Sequence, residues 1–172
     1  MQSYDATSEM YEERYAEEQQ RKYEKSLEKV EVTGKLVLDV GCGSGLFFGV
    51  AAQADVVVGV DVSRKLLLKA KEHARETQNA FVLQADADHL PFSDRCFDNV
   101  FAFTMLQNMP NPDVTLSELR RVIKSNGRVV VTGLKKAFPL NTFMDILEGS
   151  GLMVSAFVDD QDLNCYVVVL AA

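Results

Sequence analysis

The sequence predicts an α/β fold in which helices cover both faces of a mostly parallel sheet, and two observations predict it. Short runs of β-branched and aliphatic residues recur along the 172-residue chain. Segments with helical spacing separate them, which is the rhythm of βαβ units. Right-handed crossovers between such units set the strands parallel and bury both faces of the sheet.

Each element has its own signal. Residues 4–30 are charge-rich and lack Gly and Pro, and Tyr4, Tyr11 and Tyr15 stand seven and four apart, so one or two N-terminal helices are predicted. Leu36-Val37-Leu38-Asp39-Val40 is an apolar run that stops at Gly41-Cys42-Gly43-Ser44-Gly45, the pattern of a buried strand ending in a tight turn. A helix is expected over 46–53, and residues 56–61 form the second strand. Ser63 is placed to cap a helix reaching Thr77 through Leu66, Leu67 and Ala70. Residues 80–85 give a third strand that ends at Asp86 and lies at a sheet edge, and 97–104 a fourth. Asn111-Pro112 opens a helix with the stripe Leu116, Leu119, Ile123, which Asn126-Gly127 is predicted to close. A fifth strand over 129–132, a short helix over 142–148 and a hairpin of 152–158 with 166–170 complete the chain.

Bulk properties narrow the function. One domain spans 1–172, divided into a helical segment 1–33, a core 34–134 and a C-terminal helix and hairpin 135–172. No apolar run approaches the roughly 18–20 residues of a membrane span, and the first residues have no secretory signal, so a cytoplasmic protein without membrane contact is expected. Cys42, Cys96 and Cys165 are odd in number and widely spaced, and with two histidines neither a disulfide framework nor a metal site is suggested. A net charge of -7 argues against direct strong nucleic-acid binding, which rests on clustered Lys and Arg.

In an open parallel sheet, ligands bind beyond the carboxyl ends of the strands. Here those ends are acidic: Asp39 lies just inside the first, Asp61 ends the second, and Asp86 ends the third. The glycine turn sits among them, where the missing Cβ atoms let backbone approach a ligand. A dinucleotide site would also follow a first strand with glycines, with Asp61 on the ribose. Yet GxGxxG from Gly41 needs a third glycine where Leu46 stands, and Asp39 and Asp86 would repel a pyrophosphate. A cationic nucleoside suits these acids better; the bland alternative is a tight turn beside helix-capping aspartates.

Leu38-Asp39-Val40-Gly41-Cys42-Gly43-Ser44-Gly45 resembles the first motif of class I S-adenosylmethionine-dependent methyltransferases. Asp86-Ala87-Asp88-His89-Leu90-Pro91-Phe92, Phe97-Asp98 and Glu118-Leu119-Arg120-Arg121-Val122-Ile123-Lys124 before Gly127 resemble, in order, the UbiE-like (methyltransferase type 11) subgroup. The resemblance covers about residues 36–133. It implies a Rossmann-like seven-stranded sheet with an antiparallel last strand, and S-adenosylmethionine as cofactor. The Gly41–Gly45 loop, with Cys42 as a small spacer, would lie under the methionine part. Asp61, followed by Val62, would accept from the ribose, and Asp86 with Ala87 would flank the adenine. Tyr11 in an N-terminal lid and Thr104 at the fourth strand end complete the implied donor site, unless the tyrosines simply pack.

The stretch from Thr104 to Pro112 should face the donor methyl. Relatives often have a histidine pair where Gln107 and Asn108 stand, so a general base is not carried over; Asn108 either orients the acceptor or shapes the loop. His73 is expected to be solvated, and His89 to sit in an exposed loop or to brush the adenine. The acceptor is expected to be a small molecule. A tRNA, rRNA or translation protein, reached with an accessory subunit, is the alternative, as is a noncatalytic donor-binding module. The lack of a substrate domain implies that a homodimer or small accessory protein completes recognition, with the third strand as its docking edge.

Overall fold

A computed structural model describes residues 16–172. The expectations for Tyr4, Tyr11 and Tyr15 lie outside these residues. Helix α1 is seen over 16–27, followed by β1 (Leu36–Val40), α2 (Leu46–Val50), β2 (Val56–Asp61), α3 (Arg64–Thr77), β3 (Ala80–Gln84) and β4 (Phe97–Ala102). Then come a single 3-10 turn (Leu106–Asn108), α4 (Pro112–Val122), β5 (Ile123–Leu134), α5 (Leu140–Gly149), β6 (Met153–Val158) and β7 (Cys165–Ala171).

The seven strands form one sheet in the order β3-β2-β1-β4-β5-β7-β6. β1 through β5 pair in parallel, and β7 runs antiparallel to both β5 and β6. Successive side chains of a strand point to opposite faces, and the core divides accordingly. Val37, Phe101, Val130, Val167 and Val169 pack on one face with Phe47 and Phe48 of α2 and Leu67 and Ala70 of α3. Leu38, Val40, Val129, Val131, Val168 and Leu170 pack on the other with Leu116 and Leu119 of α4 and Phe143 and Leu147 of α5. Order reverses between β1 and β4, so the crevice that such a reversal opens lies above the carboxyl ends of those two strands.

Four local features differ from expectation. Helix α2 ends at Val50, three residues early. β4 stops at Ala102, because Thr104 has φ +53° and breaks the extended run. Helix α4 stops at Val122, and Ile123 already begins β5. Asn126-Gly127 therefore lies within a strand instead of closing a helix: a Cβ at Gly127 would come within 2.7 Å of the Asp98 carbonyl oxygen, so this glycine marks close backbone approach. The edge position of β3 holds, with Phe81 and Leu83 59% and 43% exposed.

Candidate functional site

A cavity of about 1460 Å³ opens above the carboxyl ends of the strands. Of the residues singled out in the sequence, Asp39, Gly41, Cys42, Gly43, Asp61, Val62, Asp86, Ala87, Thr104 and Asn108 all line it. Gly45 does not. A Cβ at Gly45 would meet the Phe48 ring at 2.7 Å and the Ala70 backbone at 3.1 Å, so this residue lets α2 pack closely on α3 and stands behind the wall.

The glycine turn is braced from several sides. The amides of Gly41 and Cys42 donate to the Val60 carbonyl at 2.8 and 3.0 Å. The Gly43 amide donates to Asp61 Oδ2 at 2.9 Å, and Asp61 Oδ1 accepts from the Ser63 amide at 2.8 Å. His73 Nδ1 lies 2.7 Å from the Ser44 carbonyl oxygen, so this half-buried ring ties α3 to the turn; the expectation of a solvated side chain is corrected. At Gly43, with φ +56°, a Cβ would meet no protein atom within 4 Å, and the backbone there faces open space. Cys42 is buried, and desolvation with Asp39 and Asp61 nearby pushes its thiol well above the ordinary range, which makes it inert packing.

Asp39 is the unusual group. Its side chain is 2% exposed and makes no hydrogen bond to any described residue. Burial first, and the neighbouring Asp61 charge second, raise its pKa from 3.8 to about 8. A buried acid without a partner is costly unless a positive group or a donor arrives. Asp86 is exposed at the other end of the acidic wall, its Oδ1 accepting from the Asp88 amide at 3.0 Å. His89 is exposed and does not line the cavity.

The motif-like residues outside the cavity have a different task. Arg121 donates to Glu118, to Asp94, and to the carbonyls of Leu90 and Phe92, while Glu118 Oε2 accepts from the Leu90 amide at 2.8 Å. Thr115 donates to Asp88. Together they pin the β3–β4 loop onto α4 and hold Asp86 and Ala87 at the cavity rim. Asp98 caps the opposite end of the sheet, accepting from the Leu36 amide and pairing with Lys124 at 2.8 Å.

Beyond β4, Thr104 is held through its amide, which donates to Thr132 Oγ1 at 2.7 Å, and through its carbonyl, which accepts from Gln107. Asn108 is exposed on the 3-10 turn and faces the cavity. Sequence reasoning missed Lys22. This α1 residue lines the cavity, is 1% exposed, and donates from Nζ to Thr104 Oγ1 at 2.6 Å and to Gln19 Oε1 at 3.0 Å. Its neighbour Tyr23 sets α1 in place, packing on Phe47 and Phe103 with ring centres 5.2 and 4.8 Å apart. In a run as polar as Gln19-Gln20-Arg21-Lys22, the one available signal was a tyrosine and a lysine followed at helical spacing by Ser26 and Leu27.

Comparison with known proteins agrees with this geometry. A family described as a methyltransferase domain matches residues 38–131, more than half of the chain. Methyltransferase GfsG of Streptomyces halstedii is 36% identical over 126 residues, 69% of this chain and 45% of its own length. Ubiquinone biosynthesis O-methyltransferase of Vibrio atlanticus is 33% identical over 116 residues, covering 65% and 49%. Phosphatidylethanolamine N-methyltransferase of Cereibacter sphaeroides is 35% identical over 105 residues, covering 59% and 52%. The chain thus spans about half the length of these curated relatives. Among solved structures, a SAM dependent methyltransferase from Aquifex aeolicus superimposes with a TM-score of 0.76 at 22% identity, over 86% of this chain and 88% of that one. A complex of the Haloferax volcanii Trm112 methyltransferase activator with its partner chain gives 0.74 at 18% identity, over 87% and 88%. At such identities these likenesses speak for the fold. No helix among the described residues is long and apolar enough to cross a membrane.

Proposed function

The chain belongs to the methyltransferase-domain family, and on that premise we propose that it transfers a methyl group from S-adenosylmethionine to a small-molecule acceptor in the cytoplasm. The observation that carries this is Asp39: an unpartnered, buried carboxylate on a cavity wall is the complement of a cationic ligand, and it disfavours the pyrophosphate of a dinucleotide. The residues present fit the donor. Bare backbone at Gly43 leaves room for close approach, and Asp61 keeps lone pairs free while it accepts from two amides. Three unpaired cysteines fit a reducing compartment.

When bound, the donor supplies a methyl group already activated on a sulfonium. What remains for the chain is alignment and exclusion of water. Asp39 and Asp61 would balance the donor's positive charge and Asp61 would accept from its ribose hydroxyls, with Gly41, Cys42 and Gly43 placed to hold the methionine part and Val62, Asp86 and Ala87 the base. Thr104 borders the reacting end, where Asn108 orients the acceptor by hydrogen bonding. In this reading residues 1–172 act as a single methyltransferase domain, with 34–134 as donor-binding core, 135–172 completing the sheet, and 1–33, including Tyr11, as a helical lid. The exposed Phe81 and Leu83 on the β3 edge favour a homodimer or a small accessory protein as partner.

Calorimetry with S-adenosylmethionine and with NAD, followed by tritiated methyl transfer into small-molecule, RNA and protein fractions of a cell extract, tests the proposal. Binding of S-adenosylmethionine alone, with label in the small-molecule fraction, is the expected result. NAD binding, or no donor binding, would sink it.

A further inference from the structure

Charge is segregated along the cavity. Asp39, Asp61 and Asp86 stand at the ends of β1, β2 and β3, whereas Lys22, Lys135 and Lys136, with Glu18 as the one acid among them, line the opposite end, above β4, β5 and β7. Lys135 is satisfied by Asp159 at 2.7 Å, and Lys136 is exposed. Lys22 is neither. The residue as a whole is 1% exposed, its ammonium forms no ion pair with any described residue, and its two hydrogen-bond partners, Thr104 Oγ1 and Gln19 Oε1, are both uncharged.

The groups around Lys22 do not neutralise it. Glu18 of α1 contributes field from beyond ion-pair distance, and its carboxylate already accepts from Asn164 at 2.7 Å. Cys165 at the start of β7 is a buried thiol whose pKa is raised by burial to about 11, so it stays neutral near pH 7. Thr104, just beyond β4, and Thr132 of β5, joined at 3.2 Å, offer only hydroxyls. Desolvation accordingly lowers the Lys22 pKa, with Cys165 and Glu18 opposing it. An ammonium buried among neutral groups costs free energy that an arriving anion recovers, and an ammonium with two donor directions spent on Thr104 and Gln19 has a third to offer.

We infer that Lys22 is the centre of an anion subsite that pairs with a carboxylate of a bound ligand over the ends of β4 and β5. The inference deepens the methyltransferase reading and rests on it. Two ligands bring a carboxylate to this cavity: the amino-acid end of the donor itself, and an acceptor that carries an acid group.

The test compares wild type with Lys22→Met and Lys22→Gln; glutamine keeps a donor for Thr104 but removes the charge. Melting of the unliganded proteins first establishes that each variant folds. Calorimetry then measures S-adenosylhomocysteine, 5′-methylthioadenosine, which lacks the amino-acid end, and benzoate added to protein saturated with S-adenosylhomocysteine. At least a tenfold loss of S-adenosylhomocysteine affinity in both variants, with methylthioadenosine unchanged, assigns the subsite to the donor carboxylate. Unchanged S-adenosylhomocysteine affinity, with benzoate binding present in wild type and lost in both variants, assigns it to an acidic acceptor. The inference is overturned if the variants match wild type for all three ligands, if wild type binds no benzoate while S-adenosylhomocysteine affinity is unchanged, if both nucleosides weaken equally, or if Lys22→Gln behaves as wild type. A wild-type protein that binds neither nucleoside overturns the parent reading as well, and is distinguished by methylthioadenosine, which never touches the subsite.

Discussion

At the β1–β3 end of the cavity the wall is backbone braced by carboxylates, whereas at the other end it is assembled from side chains of α1, of the segment that follows β4, of the end of β5 and of Asn164 just before β7. The first end uses contacts between neighbouring units: Gly43 to Asp61 spans 18 positions, and Asp61 to Ser63 spans 2. The second uses distant ones: Lys22 to Thr104 spans 82 and Glu18 to Asn164 spans 146. One end thus arrives preformed with its βαβ unit, while the other exists only when the whole sheet has closed.

The largest expected effect falls on the preformed end. Asp61→Ala removes the acceptor of two backbone amides, each bond to a charged group being worth about 1.5–3 kcal/mol. S-adenosylhomocysteine affinity should drop about a hundredfold by calorimetry; a loss under threefold would mean the turn does not depend on its acidic brace.

Asp39→Asn comes next, and its signature is pH. Because the folded-state pKa is raised from 3.8 to about 8, the protonated acid is tolerated below pH 4, and stability is lost progressively as pH rises through 8. The asparagine variant should flatten that decline and be about 1–3 kcal/mol more stable at pH 8 in urea titrations. Donor affinity in wild type should instead rise from pH 6 to 8, as the carboxylate ionises to meet a cation. A wild-type stability curve flat over pH 4–8 would refute the strained acid.

The smallest effect is expected at the assembled end. Thr132→Val deletes the hydroxyl that accepts from the Thr104 amide inside the protein, at about 1–2 kcal/mol of stability by urea titration, with donor affinity within about threefold. A hundredfold loss of donor affinity would erase the distinction between the two ends.

This division also explains what could be read from the chain. The strand-turn motif from Leu38 to Gly45, the acids at strand ends and the alternation of strands and helices are short-range signals, and the sheet, its edge at β3 and the acidic wall follow from them. That Gly45 stands behind the cavity wall was not legible, because a glycine that admits a ligand and one that admits a neighbouring helix look alike in sequence; Phe48 and Ala70 tell them apart. Asn126-Gly127 misled for the same reason, since close approach to Asp98 uses the residue type that ends a helix. His73 looked solvated among Lys71, Glu72 and Arg75, because its partner at Ser44 is 29 positions away. Lys22 had only the faint local signal of its spacing to Ser26, its environment being made by Thr104 and Cys165.

The reversed strand β7 has a consequence for how the molecule comes together. It is inserted between β5 and β6, so β6 has no other strand to pair with and the outer margin of β5 stays open until residues 165–171 dock. A chain severed between β6 and β7 would present Val129-Val130-Val131 as a naked, aliphatic ribbon, a template for recruiting other molecules into fibrils or clumps. Residues 165–171, which line no part of the cavity, are therefore the ones that guard the β5 margin against such pairing.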